Sequence, residues 1–323
     1  MTSKRSREPR VFEPVDLGRV RTVPLSGRHS KVDLKKAGET WTPGGSFDRF
    51  WRGLPDYLGA KDLGEVVARV RDAVRTGGVV ALGMGAHPIK VGLSPILCDL
   101  MRRGVVHALA VNGAAIVHDY EIATLGRTSE EVAEELRAGT FGMAAETARD
   151  LNDAIREGVA RGWGIGRAVG ERLRGAAHAS VSLFATAAEL GIPATVHVAL
   201  GTDIIHMHPS ADGAAIGEGS MRDFRLFAGV VRRLRGGVYW NLGSAVLMPE
   251  VFLKALSVAT NLGDDLRPFT TVNFDMLRHY RPALNVVGRP EVVGAKGYAI
   301  TGHHEILVPL LAAAVLEELD KDA

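Results

Sequence analysis

Six ionisable side chains able to move protons or hold an ion crowd one stretch of this sequence: Asp203, His206, His208, Asp212, Glu218 and Asp223, just after the apolar run ATVHVAL. Side chains two apart on an extended segment point to the same side. The spacing therefore predicts that His206 and His208 face one way, which suits acid–base work or metal binding. A single such pair is more often a hydrogen-bonded structural feature, so no metal is assigned. A second cluster, Asn112-Gly113-Ala-Ala-Ile-Val-His118-Asp119-Tyr120-Glu121, also follows an apolar run. Its small residues would let a ligand approach the backbone, with polar groups immediately behind; the plain alternative is a strand-to-helix turn with Asp119 as a cap. Gly302-His303-His304-Glu305 forms a third cluster late in the chain that could join the same crevice.

Elements that could bring these clusters together can be read from the pattern. An amphipathic helix is predicted over 62–74, with apolar positions 63, 66, 67, 70 and 74, feeding a buried strand at 79–86. A helix at 92–103 and a strand at 105–115 follow. Thr128-Ser129-Glu130-Glu131 resembles a capping box opening a helix over 128–137. Further helices are expected at 143–159, 165–174, 179–190, 220–234, 249–262 and 305–320, and further strands at ATVHVAL, GVYWNLG, PFTTVNF, ALNVVG and YAIT. Apolar strands alternating with helices indicate a parallel sheet buried on both faces. The predicted fold class is α/β: a doubly wound, mostly parallel, Rossmann-like sheet of about seven strands with an N-terminal arm. The arm and lead-in span 1–51 and the single domain 52–323. Such a sheet keeps its ligand beyond the carboxyl ends of its strands, where the three clusters fall.

Gly83-Met-Gly85-Ala-His87-Pro88 has the context of a phosphate-binding turn, but Pro88 takes the third glycine's place. Gly162-Trp-Gly164-Ile-Gly166-Arg-Ala-Val-Gly170 follows no strand and reads as a helix–helix junction. Metalloprotease, nucleophile-elbow and P-loop signatures are absent. One cysteine, Cys98, excludes an internal disulfide and a zinc site built mainly on thiolates. Residues 1–36 carry ten Lys/Arg against four Asp/Glu, so the remainder is slightly acidic and is no platform for nucleic acid. Apolar runs fall far short of the roughly 20 residues of a membrane span, and the basic, polar N-terminus does not resemble a signal peptide. A cytoplasmic protein acting on a small-molecule substrate, without nucleic acid or membrane partners, is expected.

Over about residues 75–315 the order of elements resembles the deoxyhypusine synthase family. HALAVNGAAIVHD is similar to the family's strand and small-residue turn before its paired glutamates. Asn241-Leu-Gly-Ser-Ala-Val resembles its triple-glycine loop, Thr270-Thr-Val-Asn-Phe-Asp275 its late NAD-contacting strand, and Tyr298-Ala-Ile-Thr-Gly-His-His-Glu its final strand and helix. The resemblance implies NAD as cofactor and a homotetramer with active sites at dimer interfaces. It also implies a reaction in which spermidine is dehydrogenated and its aminobutyl group held as an imine on a lysine. Carried over for NAD are Asn112, Gly113, Asp203, Gly243, Ala245, Thr270 and Gly302.

The departures point away from that chemistry. Val117 and His118 stand where the family has paired glutamates, His208 where it has an amine-binding aspartate, and Val286-Val287-Gly288-Arg289 where the lysine segment should be. Arginine stays protonated and forms no imine. Lost carboxylates imply a pocket for a neutral or anionic substrate, because a polycation needs them to offset desolvation. The expectation is a divergent NAD-binding enzyme acting on a small substrate other than spermidine, without a lysine imine. His118, Asp119, His206, His208 and His303 are its candidate acid–base groups. Three alternatives stay open: an aminoalkyl transferase using Lys296 as replacement nucleophile, a metal-dependent lyase or hydrolase built on Asp203, His206, His208 and His303, and an inactive NAD-binding scaffold.

Overall fold

The computed structural model describes residues 11–321. Residues up to Ala37 form one unit by chain contacts and those from Gly38 onward another. Residues 1–10 and the last two, 322–323, lie outside the described residues. Within the first unit the chain makes isolated 3-10 turns at Leu17–Arg19, Leu25–Gly27 and Leu34–Lys36. Asp16 and Asp33 cap two of them by accepting from Gly18 and Lys35 backbone N–H groups. Lead-in residues 38–46 and helix α1 (Phe47–Arg52) belong to the second unit.

In that second unit, six parallel strands lie in the order β3-β2-β1-β4-β5-β6: β1 Val80–Met84, β2 Ala108–Asn112, β3 Ala194–His197, β4 Val238–Leu242, β5 Phe269–Asp275 and β6 Ala295–Thr301. The helices that link and flank them are α2 (Leu58–Arg75), α3 (His87–Lys90), α4 (Ser94–Arg102), α5 (Gly113–Leu125), α6 (Val132–Ala138), α7 (Ala145–Ala160), α8 (Ile165–Leu173), α9 (Leu183–Leu190), α10 (Gly213–Val231), α11 (Leu247–Asn261), a short α12 (Tyr280–Pro282) and α13 (His304–Asp320). Strand period two divides the core by face. Leu82, Met84, Leu109, Val111, Trp240 and Phe274 join one apolar cluster with α2, α4, α5, α7, α8 and α13. Ala81, Ala108, Ala110 and Tyr239 join the other with α10 and α11, where the Tyr239 and Phe252 rings stack 3.8 Å apart. Helices on both faces make the sheet doubly wound, as the apolar strand runs predict.

Two expectations are corrected. ALNVVG is no strand: Ala283–Gly288 is a π-helical segment running into a 3-10 turn over Arg289–Val293. A short apolar run does not separate strand from buried helix by periodicity alone, and here Val286 is buried against the α11 face while the sheet needs only six strands. Residues 113–115, read as strand, already belong to α5, because the Asn112 side chain accepts from Ala115 N and caps the helix there. The Gly162–Gly170 string is the junction of α7 and α8. Its glycines admit a carboxylate: a Cβ on Gly164 would lie 1.8 Å from Asp223 Oδ1, and Asp223 accepts from Gly166 N and Val196 N, tying α8 to β3. Burial pushes the Asp223 carboxyl up to about 7 against those backbone hydrogen bonds. Among the described residues, no helix is long and apolar enough to cross a membrane.

Candidate functional site

Strand order reverses between β1 and β4, so the loops leaving their carboxyl ends part and open a crevice. Gly85 and Gly243 line it in close contact: a Cβ on Gly85 would meet Gly243 O at 2.8 Å. Gly243 has φ +62°, and a Cβ there would meet the His304 ring at 2.7 Å. His304, the first residue of α13, is buried, with Nε2 3.1 Å from the Phe274 carbonyl. That bond puts the ring hydrogen on Nε2 and leaves Nδ1 a buried acceptor without a donor. Burial, with the His87 ring 5.2 Å away, lowers the pKa of His304. One strand over, Asn241 Nδ2 donates to Ser244 O and Asn273 Oδ1, while Asn241 Oδ1 has no partner.

Beside β2 the same pattern recurs. A Cβ on Gly113 would lie 2.0 Å from Asp203 Oδ2, so only glycine lets this carboxylate reach the α5 terminus. Asp203 Oδ2 is buried without a hydrogen-bond partner, 3.8 Å from His206 Nε2. Burial raises the Asp203 pKa against the pull of His206 and Thr202. His206 Nδ1 accepts from the backbone N–H groups of Gly201 and Asp203, which places its hydrogen on Nε2. Ile204–Met207 is a 3-10 turn, so the extended-segment expectation for the two histidines fails. His208 instead contacts Ser210 Oγ at 2.8 Å, and Ser210 also takes a hydrogen bond from Asn152.

Between α5 and that turn lies a cavity of about 210 Å³, lined by His118, Glu121, Glu130, Asp203 and Thr202, with Lys90 at its rim. His118 and Glu121 are three apart on α5 and share a face. Burial, and then Lys90, push the His118 pKa down to about 4. The wall sets the carboxylates of Glu121, Glu130 and Asp203 against the Lys90 ammonium.

Other expected site residues are elsewhere. Asp119 is fully buried and faces α9, accepting from Ser182 Oγ at 2.6 Å, Leu183 N at 2.8 Å and Phe184 N at 3.2 Å. It caps a distant helix, with burial pushing its pKa up to about 6. Lys296 and Thr270 are register partners at the amino ends of β6 and β5, across the sheet from the crevice. There the Lys296 ammonium donates to Glu65 and lies over the Tyr298 ring. His303 is exposed, 3.6 Å from Glu305. Gly302, after β6, and Ala245, after β4, are at the carboxyl ends of their strands. Sequence reasoning named Asn241, His87, Glu121, Thr128 and His304 within its motifs but assigned none of them a site role. A polar residue inside an apolar strand, as in VYWNLG, was the available signal for Asn241. Among the described residues, no three His, Cys, Asp or Glu side chains gather as a metal would require.

No family model matches the chain, and no curated protein matches it. Solved structures do. A putative deoxyhypusine synthase from Entamoeba histolytica aligns with a TM-score of 0.53 at 14% identity, covering 87% of this chain and 96% of that one. An arginine dihydrolase from the ornithine–ammonia cycle in cyanobacteria aligns with a TM-score of 0.51 at 17% identity over 82% of this chain, which spans only 34% of that protein's length. A conserved putative LOR/SDH protein from Methanococcus maripaludis aligns with a TM-score of 0.50 at 17% identity, over 81% of this chain and 71% of that one. At these identities the likeness is one of fold, and the fold is the one that the strand and helix order predicts.

Proposed function

We propose that this chain is a divergent, deoxyhypusine-synthase-like NAD-binding enzyme that acts on a small substrate other than spermidine, without a lysine imine. The observation that carries the reading is the set of buried acceptors at the strand ends: Asp203 Oδ2, Asn241 Oδ1 and His304 Nδ1 all lack donors. An unsatisfied buried acceptor costs about 1–3 kcal/mol, and a ligand bearing several hydroxyl donors relieves it. The ribose hydroxyls and carboxamide of NAD are such donors. Glycines at 85, 113 and 243 let the Gly243 carbonyl, the Asp203 carboxylate and the His304 ring pack tightly at the crevice. The residues present therefore fit the dinucleotide, with Asp203 as the ribose acceptor and Gly243 close to the backbone-approaching part of the ligand.

NAD bound there would supply a hydride acceptor. The chain's own contribution is in the adjoining cavity, where His118 is the group able to take a proton: its neutral imidazole lines the wall, and Thr202 and Asp203 join that wall to the crevice. The transferase alternative loses support from the placement of Lys296, which is paired with Glu65 at the other end of the sheet. Arg289, in the lysine's segment, is bonded to Asn285.

Mass spectrometry of the ligand retained on purification tests this reading. NAD or NADH is expected, together with no turnover of spermidine. A chain that neither retains nor binds the dinucleotide, or that converts spermidine, would contradict it.

A further inference from the structure

His118 is the end of a hydrogen-bonded series that the enzyme reading does not use. Helix α5 ends at Gly126 in the left-handed conformation, turning the chain back over the helix. Two residues on, Thr128 comes above His118 and Glu121. Ser129, beside it, has φ +76°, a conformation L-residues seldom adopt, and it sets Thr128 and Glu130 against the cavity walls on either side. His118 Nδ1 is 2.7 Å from Thr128 Oγ1. Thr128 in turn donates to Glu121 Oε2, and Thr147 donates to Glu121 Oε1 at 3.1 Å.

The proton positions follow from these contacts. A hydroxyl has one hydrogen, and Thr128 gives its own to the carboxylate, so toward His118 it can only accept. The imidazole must then carry its hydrogen on Nδ1, leaving the Nε2 lone pair free. Glu121 also lines a second, wider cavity of about 530 Å³ with Thr128, Glu130, Thr147 and Asp150, so the series spans the wall between the two spaces.

We propose that Thr128 and Glu121 are positioning residues that lock His118 in its Nδ1–H tautomer, aim its Nε2 lone pair at the smaller cavity as a proton acceptor, and lead the proton to the wider one. A proton taken at Nε2 is matched by the Nδ1 proton passing to Thr128 Oγ1 and the Thr128 proton passing to Glu121. The imidazole is thus left neutral, in keeping with burial that resists a charge there. The proposal rests on the enzyme reading only for the source of the proton; the tautomer is a property of the chain alone.

The test is nitrogen-15 NMR of the histidine side chains in the full-length chain without NAD, with the His118 signals identified by their loss in His118→Gln. The wild type is expected to show a protonated Nδ1 and an unprotonated Nε2 near neutral pH. Thr128→Val, close in shape, should shift the ratio of the two tautomers by about tenfold or more, as loss of a hydrogen bond to a charge-linked hydroxyl requires. Thr128→Ser should restore it, and Glu121→Gln should weaken the bias. Unchanged signals from His197, held by Thr195 in the core, report an intact fold. A wild-type His118 protonated on Nε2, or an unaltered ratio in folded Thr128→Val, overturns the proposal. Failure to bind NAD would sink the enzyme reading and leave the tautomer result standing.

Discussion

At the residue scale, function and stability pull on the same atoms in opposite directions. Asp203 is buried with one oxygen unpartnered, so it costs the ligand-free chain free energy while offering an acceptor to a ligand. Asp203→Ala should therefore leave the ligand-free protein as stable as wild type or more so, read as midpoint in denaturant. A merely structural aspartate would give a loss. Lys296 is the opposite case: its exposed pair with Glu65 contributes no more than about 1 kcal/mol, and Lys296→Ala should change stability within that limit. Borohydride should trap no substrate on it. His197 provides a pH signature. Burial lowers its pKa to about 4, so the folded chain binds a proton there less readily than the unfolded chain does. The contribution is present above the ordinary histidine pKa near 6.5 and is lost as pH falls through that value toward 4. Relative to His197→Gln, the wild type should lose on the order of 3 kcal/mol over that window, measured by unfolding at a series of pH values.

At the element scale, the helices depend on caps supplied from far along the chain. Asp119 holds the α9 terminus through two backbone N–H groups and Ser182, more than sixty residues away. Asp119→Ala should lower unfolding free energy by about 3 kcal/mol, and an activity change should follow only from that loss. In the sequence Asp119 reads equally well as a site residue or a cap, since its partner lies in a distant segment. Strands were legible because apolar residues run unbroken where both faces are buried, as in VVALGM and VYWNL. ALNVVG was misread because it is just as apolar and as short, and its proline-preceded helical start carries no period. The His206/His208 pair failed for a related reason: two-residue spacing has meaning only on a strand, and Asp203 starts a 3-10 turn.

At the scale of the whole molecule, the order β3-β2-β1-β4-β5-β6 explains why residues from 85 to 304 meet at one edge of the sheet. Clusters after β2, β3 and β6 were recognisable from sequence because polar and small residues follow apolar strands at once. What could not be read was which end of a strand a residue occupies. Thr270 and Lys296 begin their strands; neither the motif that carried over Thr270 nor the choice of Lys296 as a replacement nucleophile gave a register. Nor did single residues such as Glu121 and Thr128 announce a series that forms only after α5 turns back. The same architecture makes the central claim direct to test, because Asp203 places a buried, unpartnered carboxylate oxygen beside the crevice. Calorimetric titration of NAD+ into the full-length chain and into Asp203→Ala is the decisive measurement. Saturable binding by the wild type, weakened about tenfold or more in Asp203→Ala, is the expected result. No binding by the folded wild type, or equal affinity in the two, would contradict it.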